Sequence, residues 1–208
     1  MENVSIQGLG DLKVVTELFS QVGCTEDDNC ILVVTNRDFI PDGTAEKIMK
    51  GNATIVGAKT GGAVGGLVGG AVAGSFASSV QESADKFLNS LDHKQQIVFD
   101  TGRYAGFLLN VISTGIGVIP CYNGGQILAN VKDLTTDIDN FIFFSNDEIE
   151  SKELKKLPLN FSSMMFAVLF KSDSELKVKT PWQMPKKHKL IPYQEENFKR
   201  LLNGEFVR

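Results

Sequence analysis

The chain has 208 residues, 42% of them hydrophobic, and a formal net charge of −4. This composition excludes overall disorder, and the length provides for one large globular domain or two small ones. The acidic balance argues against nucleic acid as a partner. Three cysteines without CxxC spacing, Cys24, Cys30 and Cys121, support neither a disulfide framework nor a zinc site, so we expect buried, reduced thiols.

Residues 1–43 are predicted to form a helix and the first hairpin of a sheet. Apolar residues at helical spacing predict an amphipathic helix over 12–22, which Gly23 closes. The β-branched run at 30–35 predicts a strand, and residues 39–40 a return strand. The first residues have neither a basic start nor an apolar core, so we expect no secretory signal and a cytoplasmic location.

Residues 57–74 carry the strongest pattern in the chain, two series of glycines that each step by four residues. The series are Gly57, Gly61, Gly65 and Gly69, and Gly62, Gly66, Gly70 and Gly74. A step of four is helical spacing, and a smooth glycine face lets a second backbone approach closely. Eight glycines destabilise a helix by about 7 kcal/mol relative to alanine, so the helix needs tight packing or a lipid environment. A flexible linker is the alternative, but linkers carry Ser and Asn rather than Val at every third or fourth position.

Residues 60–81 contain no charged side chain. As a helix this stretch would be about 33 Å long, which matches a bilayer core of about 30 Å. Gly and Ala make it only weakly hydrophobic, so a membrane span and a packed helix in a soluble core both stay open. Helices are also predicted at 45–50 and 78–91, which makes residues 44–95 a helical insertion.

The region from residue 96 to residue 180 is predicted to consist mainly of antiparallel strands. The candidates are 97–99, 104–112, 116–119 (ended by Pro120), 140–144, 149–154, 163–170 and 175–179. A final helix is predicted over 193–202, with Phe198, Leu201 and Leu202 on its apolar face and Gly204 as its stop.

The titratable residues form no recognisable catalytic pattern. His93 is interpreted as a helix C-terminal cap and His188 as a loop residue, and neither has the flanking signature of a catalytic family. The acid pairs Glu148/Glu150 and Asp137/Asp139 are interpreted as solvated surface. We therefore expect no catalytic residue, no metal and no cofactor.

A basic loop near the C-terminus is the one candidate contact for an anion or a lipid. Residues 151–208 hold twelve Lys and Arg against six Asp and Glu, a net +6 that leaves −10 for residues 1–150. Within them, Lys186, Lys187 and Lys189 follow Trp182, and basic loops with aromatics dock on anionic headgroups. The alternatives are a solvated loop kept soluble by lysine, or a basic half that faces the acidic half of the same chain.

Two stretches carry family resemblances. Four features resemble bacterial pleckstrin-homology-like (PH-like or GRAM-like) domains: the run at 143–149, the hairpin at 166–179, the helix at 197–202, and Thr35-Asn36-Arg37 in an early hairpin. The resemblance covers residues 24–40 and 96–203. That resemblance implies a strongly bent barrel plugged at one end by the final helix, and residues 44–91 depart from it as an insertion. Residues 57–74 resemble the glycine-zipper segments of bacterial membrane-associated proteins.

These observations predict an α+β fold, a PH-like antiparallel β-barrel with a C-terminal helix, interrupted by a glycine-rich helical hairpin. The expected division is 1–43 (first helix and hairpin), 44–95 (glycine-zipper insertion) and 96–208 (main barrel). The expected function is non-enzymatic: membrane association or partner binding, with the barrel as an interaction platform and the glycine face available for homo-oligomer contact. The alternative is a self-assembling, membrane-active protein whose glycine face drives oligomer or pore formation.

Overall fold

The computed structural model describes residues 3–24, 28–35, 89, 91–100, 103–122, 134–157, 160–171, 180 and 182–205. The glycine-rich segment 57–74, the return strand 39–40, the helix 45–50 and the strand 175–179 lie outside the described residues, as does nearly all of the predicted helix 78–91. Predictions on those segments stay predictions.

Three helices and eight strands make up the described fold. The helices are α1 (Leu12–Gln21), α2 (His93–Phe99) and α3 (Gln194–Leu202). The strands are β1 (Cys30–Thr35), β2 (Tyr104–Ile112), β3 (Gly115–Tyr122), β4 (Thr135–Thr136), β5 (Ile142–Ser145), β6 (Ile149–Leu157), β7 (Asn160–Phe170) and β8 (Trp182–Pro185).

The strands form one sheet in the order β4-β3-β2-β1-β8-β7-β6, and β5 pairs with β3 beside β4. Each of these pairings is antiparallel. The α+β prediction is therefore confirmed. Within the described part of the chain the hydrogen-bonded path stays open between β6 and the β4/β5 edge, so these strands do not close into a barrel.

The central strands are buried on both faces, because alternate side chains of a strand point to opposite sides. In β1, Cys30 and Leu32 lie on one face while Ile31 and Val33 lie on the other. The first face packs on α1 and the N-terminal residues, which together form the outer cluster. The second face forms the inner cluster, to which α2 and α3 also contribute. The continuous apolar run of β1 reflects this double burial.

The sheet bends around the inner cluster. Phe144 of β5 and Phe170 of β7 do not belong to paired strands, yet their ring centroids are only 4.3 Å apart. The chain passes from β5 to β6 through a single 3-10 turn at Asn146–Glu148. The two ends of the sheet therefore face each other across one apolar core.

Helix α3 covers the part of the β1 edge, at Cys30 and Leu32, that β8 does not reach. Strand β8 meets β1 only at Val34 and Thr35. At Leu32, the Oε1 of Gln194 accepts from the backbone N–H at 2.9 Å, and its Nε2 donates to the carbonyl at 2.9 Å. Asn197 Nδ2 donates to the carbonyl of Cys30 at 2.8 Å. Because a side-chain amide has the donor and acceptor of a peptide group, these two residues replace a neighbouring strand.

Two predictions for the sheet were wrong. Residues 97–99 are the last turn of α2 rather than a strand, because the Oδ1 of Asp92 accepts from the N–H of Gln95 at 2.8 Å and caps a helix there. Pro120 does not end its strand but lies inside β3. Its carbonyl accepts from Asp137 N–H at the edge facing β4, so the ring nitrogen points to the same edge and no ladder bond to β2 is lost.

The terminal helix is confirmed with one change. Phe198 and Leu201 are buried in the inner cluster, whereas Leu202 is 47% exposed, so its prediction as part of the packed face was wrong. The buried face of α3 is formed by Gln194, Asn197, Phe198 and Leu201, and Leu202 lies at the solvent-facing flank of that face. The stops at Gly23 and Gly204 are confirmed, because both residues have positive φ, +88° and +77°.

Candidate functional site

The three lysines of the basic loop lie in one turn between β8 and α3, which we call the basic turn (residues 186–189). Both ends of this turn are fixed. Lys186 N–H donates to the carbonyl of Ser162 at 2.9 Å, and Ile191 N–H donates to the carbonyl of His188 at 3.2 Å. Ile191 itself is fully buried in the outer cluster. The lysines therefore extend from a backbone held on two sides.

Lys187 and Lys189 are exposed, and Lys186 is half-buried. Trp182, predicted to contact an anion or lipid beside them, is 0% exposed, so that prediction was wrong. Strand alternation turns Trp182 and Met184 into the inner cluster, where the indole lies 5.8 Å from the ring of Phe107. Trp182 anchors the strand that leads into the basic turn and cannot touch a surface ligand.

The electrostatics of the basic turn are set by its lysines and one nearby acid. Glu195, in the first turn of α3, is exposed, and its pKa is held below the usual range by a hydrogen bond from Lys199 and by the charges of Lys199 and Lys187. Burial lowers the pKa of His188, whose Nδ1 accepts from Leu190 N–H at 3.3 Å. At neutral pH the positive charge of the turn therefore belongs to its lysines.

Asp137, interpreted from the sequence as solvated surface, is buried, and one of its carboxylate oxygens accepts three hydrogen bonds. Its Oδ2 accepts from Tyr104 Oη at 2.9 Å, Asn140 Nδ2 at 2.9 Å and Arg103 Nη2 at 3.2 Å. Burial, and then the hydrogen bond and charge of Asp137, raise the pKa of Tyr104. This carboxylate joins the turn before β5 to the start of β2. The Asp-x-x-Asn spacing is a local sequence signal for the contact of Asp137 with Asn140. No sequence signal indicated the contact of Asp137 with Tyr104.

Glu148 was also interpreted as surface, and it closes the turn between β5 and β6. Its Oε2 accepts from Ser145 N–H at 2.8 Å, and its Oε1 lies 2.6 Å from Lys94 Nζ. Burial opposes the ionisation of Glu148, but the hydrogen bonds from Lys94 and Ser145 outweigh it and lower its pKa. The Ser145-x-x-Glu148 spacing is a capping box, a sequence signal that could have identified this contact.

The cysteines are confirmed as buried and free of disulfides. Burial raises the pKa of the Cys121 thiol to about 12, which makes this thiol unreactive. His93 is the first residue of α2, and the helix 78–91 whose C-terminus it was interpreted to cap lies almost wholly outside the described residues, so that interpretation stays a prediction. In the part of the chain that the structure describes, no group of three or more His, Cys, Asp or Glu side chains is placed to hold a metal ion.

None of the helices in the described ranges is both long enough and apolar enough to cross a bilayer. The eight glycines at 57–74, which are predicted to form a helix-packing or membrane-contacting face, lie outside those ranges. The chain matches no protein-family model, no curated protein and no solved structure.

Proposed function

We propose that this chain is a non-enzymatic binding protein that associates with an anionic membrane surface. In this proposal the bent sheet is a PH-like platform, the basic turn contacts acidic headgroups, and the glycine-rich segment 57–74 inserts into the membrane or packs against another helix.

The observation that carries the proposal is the placement of Lys187 and Lys189. Both side chains are exposed on a turn whose backbone is anchored by hydrogen bonds and by the buried residues Trp182 and Ile191. A rigid turn loses little conformational entropy when it docks. Each lysine near an anionic surface contributes about 1 kcal/mol, which is screened by salt.

The proposed PH-like character is supported by the arrangement of the last helix. Helix α3 follows the strands in the chain, and its side chains Phe198 and Leu201 enter the inner cluster around which the sheet bends. The passage from β5 to β6 in one short turn adds to the likeness. The open hydrogen-bonded path is the point at which the described strands differ from a closed barrel.

The glycine-rich segment is inserted between two described elements that are both held on this platform. On one side, Thr35 Oγ1 donates to the carbonyl of Ala105 at 3.2 Å. On the other side, α2 contributes Ile97, Val98 and Phe99 to the inner cluster. The described chain on either side of the glycine-rich segment therefore belongs to this platform.

A charge-matched pair of variants tests the basic turn. Replacing Lys186, Lys187 and Lys189 together with Gln should weaken co-sedimentation with phosphatidylserine-containing vesicles by at least about tenfold in affinity. The control replaces Lys155, Lys156 and Lys171, which are exposed elsewhere, with Gln and alters the net charge equally. Equal binding by the two variants would contradict the role of the basic turn.

A second pair of substitutions tests the glycine face. Changing Gly66 and Gly70 to Leu raises helix propensity by nearly 1 kcal/mol per site but prevents close backbone approach. We expect a more helical protein that no longer self-associates or inserts, as judged by circular dichroism and analytical ultracentrifugation. A variant that keeps its association would show that these glycines do not form a contact groove.

A further inference from the structure

A cavity opens on the outer face of the sheet, at the end where β2 turns into β3. Its volume is about 370 Å³. The C-terminal end of α1 forms one wall with Val22, Gly23 and Cys24, and the β2–β3 turn and the β5 region form the other with Ile112, Thr114, Phe141 and Phe143. The basic turn contributes no residue to this lining.

Two glycines of β3 allow the aromatic wall to lie close to the sheet. A Cβ at Gly117 would be 2.9 Å from the Cys24 sulfur and 3.3 Å from the rings of Phe141 and Phe19. A Cβ at Gly115 would be 2.7 Å from the ring of Phe143. The ring of Phe141 is also held edge-to-face against Phe19, with centroids 6.5 Å apart and an interplanar angle of 75°. The position of this wall is therefore set by the β3 backbone beneath it.

The chemistry of the lining defines the kind of ligand it would accept. None of the seven described lining residues is charged, and Thr114 supplies the one hydroxyl group. Phe141 and Phe143 are half-buried, so parts of their rings remain accessible. Aromatic rings favour offset or edge-to-face contact with another ring, and sulfur makes favourable contacts with ring edges. Burial of a charged ligand here would be unfavourable, because none of the described lining side chains could compensate the charge.

We propose that this cavity binds a small neutral aromatic molecule, of one ring or two fused rings with a single N–H or O–H group. Ligand clefts range upward from about 300 Å³, so this half-open cleft has room for a molecule of this size. The Phe141 and Phe143 rings contact its faces and edges, and the Thr114 hydroxyl pairs with its polar group. This site is independent of the proposed membrane function, because it shares no residue with the basic turn.

The test is a titration of the full chain with indole that is monitored by calorimetry. In a parallel experiment, mass spectrometry measures the rate at which N-ethylmaleimide labels the chain with and without indole. We expect saturable 1:1 binding and slower labelling of Cys24 when indole is present. Thr114→Phe fills the mouth of the cavity and should reduce affinity at least about tenfold, equivalent to about 1.4 kcal/mol. The matched control is Ser113→Phe, an exposed neighbour outside the lining, which should bind within about twofold of the wild type, a difference of less than about 0.5 kcal/mol.

The proposal is overturned if indole does not bind at millimolar concentration, or if Thr114→Phe and Ser113→Phe bind it equally. Should Thr114→Phe fail to fold, Val22→Trp fills the cavity from the α1 wall and is judged by the same criterion. If the wild-type chain binds indole but does not bind anionic vesicles, only the proposed membrane function is contradicted. The two proposals can therefore fail separately.

Discussion

The replacement of Gln194 with Leu is the sharpest test of how α3 is held on the sheet. Gln194 is fully buried, and its amide makes three hydrogen bonds of 2.9 Å, two with Leu32 and one with the carbonyl of Pro185. Leucine has nearly the same volume but cannot pair with any of these groups. Each buried backbone group left unpaired costs about 1–3 kcal/mol. Since the Pro185 carbonyl is only partly buried, we expect a total loss of about 3 kcal/mol.

Urea denaturation followed by tryptophan fluorescence measures this loss, because Trp182 is the single tryptophan and is fully buried. A loss of about 3 kcal/mol should lower the urea midpoint by about 1 M or more. The control is Glu196→Leu in the same helical turn, which is exposed and should change stability by well under about 1 kcal/mol. A loss below about 1 kcal/mol for Gln194→Leu would refute the view that this amide replaces a strand.

Three further predictions concern residues in other parts of the described fold. Gly117→Ala should lower the free energy of unfolding by about 1–3 kcal/mol in urea, because its Cβ would be 2.9 Å from the Cys24 sulfur; unchanged stability would contradict the close packing. Asp137→Ala should lower it by about 1–3 kcal/mol by removing the acceptor of the Tyr104 hydroxyl, whereas Asp139→Ala, its exposed neighbour, should not. Because burial lowers the pKa of His188, the unfolded chain binds this proton first, so stability should fall as pH decreases below about 6.5; in His188→Gln that part of the decline should be absent.

The sequence predicted the elements with strong local patterns. The strands at 30–35 and 104–112 match β1 and β2 to the residue, because their β-branched and apolar runs are buried on both faces. Helices α1 and α3 follow from their apolar spacing and their glycine stops. Helix α2 was missed because it has only seven residues and ends in Ile-Val-Phe, a run with high β propensity.

Most of the contacts that build the candidate sites could not be predicted from local sequence patterns, because their partners are far apart in the chain. Gln194 and Leu32 are 162 positions apart in the chain, and Tyr104 and Asp137 are 33 apart. No propensity or spacing rule links such pairs. The lysines of the basic turn were predicted as a group. The burial of Trp182 depends on the alternation of β8, a strand that was absent from the predicted elements.

Fractionation of cells that express the full chain tests the central claim most directly. The account predicts that the protein sediments with membranes, and that Gln at Lys186, Lys187 and Lys189 shifts it toward the soluble fraction at physiological ionic strength. A high-salt wash should release the fraction of the protein that is bound to the membrane only through the basic turn. It should leave bound the fraction that is held by residues 57–74. Recovery of the wild-type protein entirely in the soluble fraction at low salt would contradict the account.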